Sequence, residues 1–352
     1  MSLPEVHLVG GSRAEALRLA PVAIAMREQG RLQPILVAAG PDPDVVDGTF
    51  AAFGLTPHIT LPTGPRQPSA GSAAAGEAVR RFDLLWASRT PAAVVLWDSL
   101  AGASAAFWRR VPVMQVDAGR RTGDLTAAPG SSEADRRLLT QFTTVHLAAT
   151  PLTAMNLLDE RVPAGDVLLT GSTVADAAQI LAARRPTAAA KARRSVVISV
   201  ATDRSESIGR SVRGLTARHP DLEVIVPEET LPCADRARLL AEAYVVVTDD
   251  PDLPEEALAA GAPVLLLGVP AGHAESLHAG SVRPVEPEPA SVAAEVADLL
   301  DSRIRRDAMA AGGNPYGDGL AAYRVAQATA ALLGHGQFPD PMPARPAAGV
   351  AR

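Results

Sequence analysis

Two doubly wound α/β domains in succession are what this sequence predicts, and three observations carry the prediction. Short runs of Val, Ile and Leu alternate with alanine-rich amphipathic stretches, the pattern of a parallel sheet covered by helices on both faces. The alternation runs through one array and then restarts. A chain of 352 residues also exceeds what one hydrophobic core usually organises.

The first array reads Val6–Val9, Ile35–Ala38, Ala93–Trp97, Val111–Val116 and Val145–Ala148 as buried strands, each a short β-branched or leucine-rich run. Within it, residues 62–76 collect Pro, Gly, Ser and Ala without periodicity and read as a mobile loop, either a lid or a tolerated surface insertion. The first domain is expected over residues 1–182, and the Ala/Arg-rich stretch 182–194 reads as the boundary. The second array, expected over 195–319, follows with Ser195–Val200, Glu223–Val226, Tyr244–Thr248, Pro263–Leu267 and Ser281–Val285. Residues 338–352 carry four prolines among small residues and read as a disordered tail. In doubly wound sheets ligands sit at the carboxyl ends of the strands, so chemistry is expected in a cleft between the two domains.

Composition excludes several classes. There are 33 basic and 39 acidic residues, a net charge of −6 with no basic block, which argues against nucleic acid or an anionic membrane surface as partner. Cys233 is the single cysteine, so neither an intramolecular disulfide nor a multi-cysteine metal site is available, and a reducing compartment fits. The first residues are too acidic for a signal peptide and no apolar run reaches membrane-span length. A cytoplasmic protein is expected.

Candidate site residues stand at strand ends. Gly10-Gly11-Ser12-Arg13 follows the first strand and opens a helix, so backbone N–H groups, the helix dipole and Arg13 all suit an anion, although a glycine pair also simply permits a tight turn. Asp98 and Asp117 end the strands at 93–97 and 111–116. Neighbouring carboxylates can be driven apart in pKa to give an acid and a base, but on the residues alone capping of the helix that follows is the favoured reading for either aspartate.

Three segments resemble, in order, signatures of the non-hydrolysing UDP-N-acetylglucosamine 2-epimerases: Gly10–Ala16 (Gly-Gly-Ser-Arg-Ala-Glu-Ala), Gln115–Asp124 (Gln-Val-Asp-Ala-Gly-Arg-Arg-Thr-Gly-Asp) and Asn314–Gly319 (Asn-Pro-Tyr-Gly-Asp-Gly). The resemblance covers nearly the whole chain. It implies Rossmann-like domains in a glycosyltransferase-B type arrangement, a last helix over 320–337 crossing back to the first domain, and a homodimer formed through first-domain helices. It also implies elimination of UDP across C1–C2 of UDP-GlcNAc and re-addition with inversion at C2, with no metal or nicotinamide cofactor. By the same resemblance Arg13 and Arg18, the latter matching a lysine, lie near the sugar nucleotide. Asp98, and Asp117 in place of a glutamate, belong to the acid/base set.

Other matched positions depart from the family. An essential glutamate falls on Ser132, leaving Glu133, the match of its neighbour, as a further proton-transfer candidate or else a solvated first-turn residue. Asp203 replaces a histidine, Asp250 and Pro251 replace the Ser-Gly of a phosphate-binding turn, Glu256 is kept as the ribose-contacting glutamate, and His273 replaces an arginine. An uncompensated carboxylate roughly 4 Å from a phosphate costs on the order of 4 kcal/mol at an effective dielectric near 20, so the diphosphate cradle reads as dismantled. Three readings stay open: an epimerase, an enzyme repurposed for another sugar-bearing substrate such as a glycosyl transfer, and a catalytically silent binding protein.

Overall fold

The structure, a computed structural model, describes residues 2–63, 71–125, 133–184, 193–228, 231–268, 272 and 274–343. It divides into two compact units: Met1–Val46, Thr56–Asp176 and Gly317–Arg352 form unit 1, and Asp47–Leu55 with Ala177–Tyr316 form unit 2.

The first half of the chain runs β1 (Glu5–Gly10), α1 (Arg13–Gln29), β2 (Gln33–Gly40), α2 (Pro43–Ala52), β3 (Ile59–Pro62), α3 (Gly71–Ser88) and β4 (Ala93–Leu96). It continues through α4 (Leu100–Trp108), β5 (Val113–Ala118), α5 (Glu133–Phe142), β6 (Val145–Ala148), α6 (Pro151–Asp159), β7 (Val167–Leu169) and α7 (Thr173–Ala183). Unit 1 holds a parallel sheet in the order β3-β2-β1-β4-β5-β6-β7. The order reverses between β1 and β4, and this switch point is where an open α/β sheet leaves a crevice at its carboxyl edge. The central strands β1, β4 and β5 are buried almost throughout because helices cover both faces, which is why they read as unbroken apolar runs. Gly40, with φ +89°, is required where β2 meets the first turn: a Cβ there would stand 2.1 Å from the Gly11 carbonyl oxygen.

The sheet has two strands that the sequence did not announce, β3 and β7. Both are short edge strands that alternate or remain half-exposed, so they lack the buried apolar run that marks the others. Residues 71–76, expected to be loop, instead form the first turns of α3, consistent with the helix preference of alanine. The rest of that expected loop, residues 64–70, lies outside the described residues, as does most of the expected boundary, 185–192.

The second half runs β8 (Arg194–Ser199), α8 (Thr202–Arg213), β9 (Leu222–Ile225), α9 (Cys233–Glu242), β10 (Ala243–Thr248), α10 (Leu253–Ala259), β11 (Val264–Leu267), α11 (Ala274–His278) and β12 (Val282–Val285). The helices α12 (Pro289–Asp301), α13 (Arg303–Ala311) and α14 (Ala321–Leu332) complete it. Unit 2 is a parallel sheet in the order β12-β11-β10-β8-β9, with its switch point between β8 and β10. Its apolar side chains form two clusters, one built on Val196, Ile198, Val245 and Val247 and the other on Val197, Val246, Val264 and Leu266. Alternate residues of β8 and β10 thus feed opposite faces of the sheet.

Helix α14 belongs to unit 1 and packs along α1. Arg324 fastens it, donating to the Thr170 carbonyl at 2.9 Å and to both carboxylate oxygens of Asp318 at 2.8 and 2.7 Å. The expected tail is not without structure at its start: Met342 is buried and donates its backbone N–H to the Leu169 carbonyl at 2.7 Å. Residues 344–352 lie outside the described residues. Among the described residues, no helix is long and apolar enough to cross a membrane.

Candidate active site

In unit 1 the ends of β1, β4 and β5 carry the candidate groups. The turn after β1 is organised by Ser12, whose hydroxyl accepts the Glu15 N–H at 3.2 Å and caps α1, while the Glu15 carboxylate accepts the Gly11 N–H. Arg13 is the first residue of the helix and half-buried. The register pairs Leu96, the last residue of β4, with Gln115 of β5, and Asp98 and Asp117 each come two residues later in the chain. Neighbouring strands lie about 5 Å apart, so the two aspartates leave the same sheet edge as neighbours.

Neither aspartate serves as a helix cap. Ser99 is the N-cap of α4, accepting the Gly102 N–H at 3.3 Å, which relieves Asp98 of that duty. Asp117 does not end its strand as expected. It sits within β5, at a bulge where the pairing with β6 shifts between Val116 and Ala118, and its φ is +48°. A bulge re-aims one side chain out of the strand's alternation, and aspartate tolerates the left-handed region better than most residues.

Arg18 is engaged within unit 1. Only 1% exposed, it donates from Nε to Asp117 Oδ2 at 2.8 Å, and its guanidinium carbon lies 3.8 Å from the centre of the Trp97 ring. A buried guanidinium needs a carboxylate partner, and here that partner is on β5 of the same unit. Ser172, in the turn between β7 and α7, donates to the same Asp117 oxygen at 3.0 Å.

Glu133 differs from the solvated first-turn expectation. It is fully buried at the start of α5: Oε2 accepts the Thr122 N–H at 2.8 Å, and Oε1 accepts Arg137 Nε at 3.0 Å. Burial pushes its pKa up, but the Thr122 N–H bond, Arg137 and Arg121 outweigh that and hold the carboxyl below its ordinary range. Glu133 is thus a buried anchor joining the segment after β5 to α5, and not a solvated first-turn residue. Arg121, which sequence reasoning passed over, completes the cluster with two bonds to Glu160 at 2.8 and 2.7 Å. Ser132 lies outside the described residues.

In unit 2 the ends of β8 and β10 meet through Asp249, whose carboxylate accepts the Ala201 N–H at 3.1 Å. Asp203 falls in the first turn of α8. Asp250 is not an uncompensated charge. Its Oδ1 accepts the Asp252 N–H at 2.9 Å, and its Oδ2 accepts from Arg236 of α9 at 3.4 Å. The same guanidinium stands 3.7 Å from the buried Glu256, so one arginine neutralises part of two carboxylates. No sequence signal marked Arg236: it lies 14 residues from Asp250, on a different element. His273 lies outside the described residues.

Two doubly wound parallel units in one chain define an α/β protein of the glycosyltransferase-B fold type. The chain belongs to the UDP-N-acetylglucosamine 2-epimerase family, whose model matches residues 24–227 and 187–330. It is 26% identical over 375 residues to a probable UDP-N-acetylglucosamine 2-epimerase of Ralstonia solanacearum, covering 94% of this chain and 100% of that one. It is 27% identical over 373 residues to the UDP-N-acetylglucosamine 2-epimerase of Escherichia coli K12, covering 92% and 98%. Among solved structures, S. aureus MnaA with UDP superposes with a TM-score of 0.86 at 22% identity, covering 97% of this chain and 100% of that one. The Neisseria meningitidis UDP-GlcNAc 2-epimerase bound to UDP-GlcNAc gives 0.75 at 22% identity, covering 90% and 97%.

Proposed function

We propose that this protein interconverts UDP-GlcNAc and UDP-ManNAc, with Asp98 and Asp117 as the acid/base pair. One carboxylate takes the C2 proton, the C2–H electron pair becomes the C1–C2 double bond, and the C1–O bond breaks with UDP leaving on its electron pair. UDP then returns to C1 while a proton is delivered to the opposite face of C2. The observation that carries the reading is the placement of Asp98 and Asp117 at the carboxyl edge of the neighbouring strands β4 and β5, in a chain matched along most of its length by the epimerase family model.

Arg13 is assigned to the substrate phosphates, and Glu256 to the ribose. Asp203, Asp250 and His273 mark the positions where contact to the nucleotide is altered, with Arg236 offsetting the charge of Asp250. A cytoplasmic homodimer belongs to the same proposal. The supporting surface lies on α3, α4 and α5, which pack side by side and leave Leu84, Phe107, Trp108 and Leu138 exposed, Trp108 by 73%. The deciding experiment is incubation with UDP-GlcNAc in heavy water: deuterium at C2 with formation of UDP-ManNAc supports the function, and no exchange at any enzyme concentration refutes it.

A further inference from the structure

The structure assigns Arg18 and Ser172 a shared role as positioning residues for Asp117, in place of a phosphate contact for Arg18. The inference rests on the epimerase reading of Asp117 and goes beyond it.

Two separate segments converge on one oxygen atom of a third. Arg18 of α1 is 99 residues from Asp117 and Ser172 is 55 away, yet both donate to Oδ2, at 2.8 and 3.0 Å. The backbone beneath that carboxylate is in the left-handed region, at a bulge. Such a conformation persists where the surroundings over-determine it, and here two donors fix the side chain that it presents. The guanidinium is fixed in turn, since Arg18 Nη1 donates to the Ala14 carbonyl at 3.2 Å and the group lies over the Trp97 ring at 3.8 Å. Ser172 is likewise held, its hydroxyl accepting the Val174 N–H at 3.2 Å.

Trp97 adds a second consequence. It is the residue immediately before Asp98, so Arg18 rests on the end of β4 while bonding the bulge in β5. One buried side chain thereby ties together the two strand ends that carry the proposed acid and base. An arginine so placed, 1% exposed and engaged on both sides, acts through Asp117 rather than on substrate. Lysine keeps the charge but supplies neither the flat surface for Trp97 nor the Nε–H direction, so it is not an equivalent.

The test is a cycle of Arg18→Lys, Ser172→Ala and the double variant in the full-length protein. C2 deuterium exchange and epimerisation of UDP-GlcNAc are followed, with UDP affinity measured by calorimetry. Displacing a reacting group by about 1 Å costs roughly 100-fold, so Arg18→Lys is expected to lower kcat by roughly 10- to 100-fold, and Ser172→Ala by less. UDP affinity and KM stay within about twofold of the parent, since no ground-state contact to substrate is lost. The double variant is expected to be little worse than Arg18→Lys alone, because both act through one oxygen.

A rise in UDP Kd with kcat unchanged makes Arg18 a phosphate ligand and overturns the proposal. Losses that multiply in the double variant overturn the shared role. If Arg18→Lys does not fold, Ser172→Ala decides, and an unchanged kcat there is equally fatal. A parent protein inert in exchange overturns the epimerase reading and this role with it, whereas an active parent whose variants behave otherwise overturns the role alone.

Discussion

The Asp176 carboxylate accepts the backbone N–H of Ala322 at 2.9 Å, and that of Ala321 at 3.2 Å, so a side chain of α7 caps the first turn of α14. Burial dominates its titration and pushes its pKa from 3.8 up to about 6, against the lowering effect of those two N–H bonds. A pKa raised in the folded state contributes stability that is complete below the unfolded value and disappears as pH rises through the folded one. The window here is about pH 3.8 to 6, and the shift corresponds to about 3 kcal/mol. Asp176→Asn removes this titration, so the stability of the parent relative to the variant should increase between pH 7 and pH 4. Urea unfolding at a series of pH values measures it, and a difference that does not change with pH contradicts the assignment.

Asp98→Asn should abolish C2 exchange while changing unfolding free energy by no more than about 1 kcal/mol, because Ser99 already caps α4. Parallel loss of stability and turnover would show instead that the carboxylate is structural.

Glu133→Gln should behave in the opposite way. Removing its charge weakens the buried bonds to the Thr122 N–H and Arg137 while Glu160 still faces both arginines, and a cost of about 2 kcal/mol is expected. Any residual folded protein should retain exchange. Full stability with loss of exchange would return Glu133 to the catalytic set.

UDP affinity should depend on Arg236 and Asp250 in opposite senses. Asp250→Ser with Pro251→Gly removes a carboxylate and restores a backbone donor, and should tighten UDP by at least roughly tenfold. Arg236→Ala leaves Asp250 and Glu256 without their shared cation and should weaken it. Calorimetry at fixed ionic strength reads both, and equal affinities across the series would separate this region from nucleotide binding.

Trp108→Glu should convert the proposed dimer to a monomer without unfolding it, since that side chain is 73% exposed in the single chain. Light scattering after size exclusion is the measurement, and a parent that is itself monomeric removes the proposal.

Local pattern made much of the architecture readable. Runs such as Val6–Val9 and Val245–Val247 are buried on both faces, so their apolar character needs no knowledge of distant partners. The edge strands Ile59–Pro62 and Val167–Leu169 escaped because half-exposed positions accept many residue types. Asp98 and Asp117 were visible as strand ends, but neither the bulge at Asp117 nor the transfer of the capping duty to Ser99 leaves a mark on composition or period.

Sequence by itself therefore determined the two parallel sheets and the family's motifs in their order. Tertiary structure alone decided what the charged side chains do: Arg18 turned inward to Asp117, Glu133 became a buried anchor, and Arg236 came to stand between Asp250 and Glu256. The physical reason is range. Strand and helix patterns reflect burial on a period of a few residues, whereas a buried ion pair is chosen by whichever opposite charge the folded chain brings within about 4 Å, however far apart in sequence.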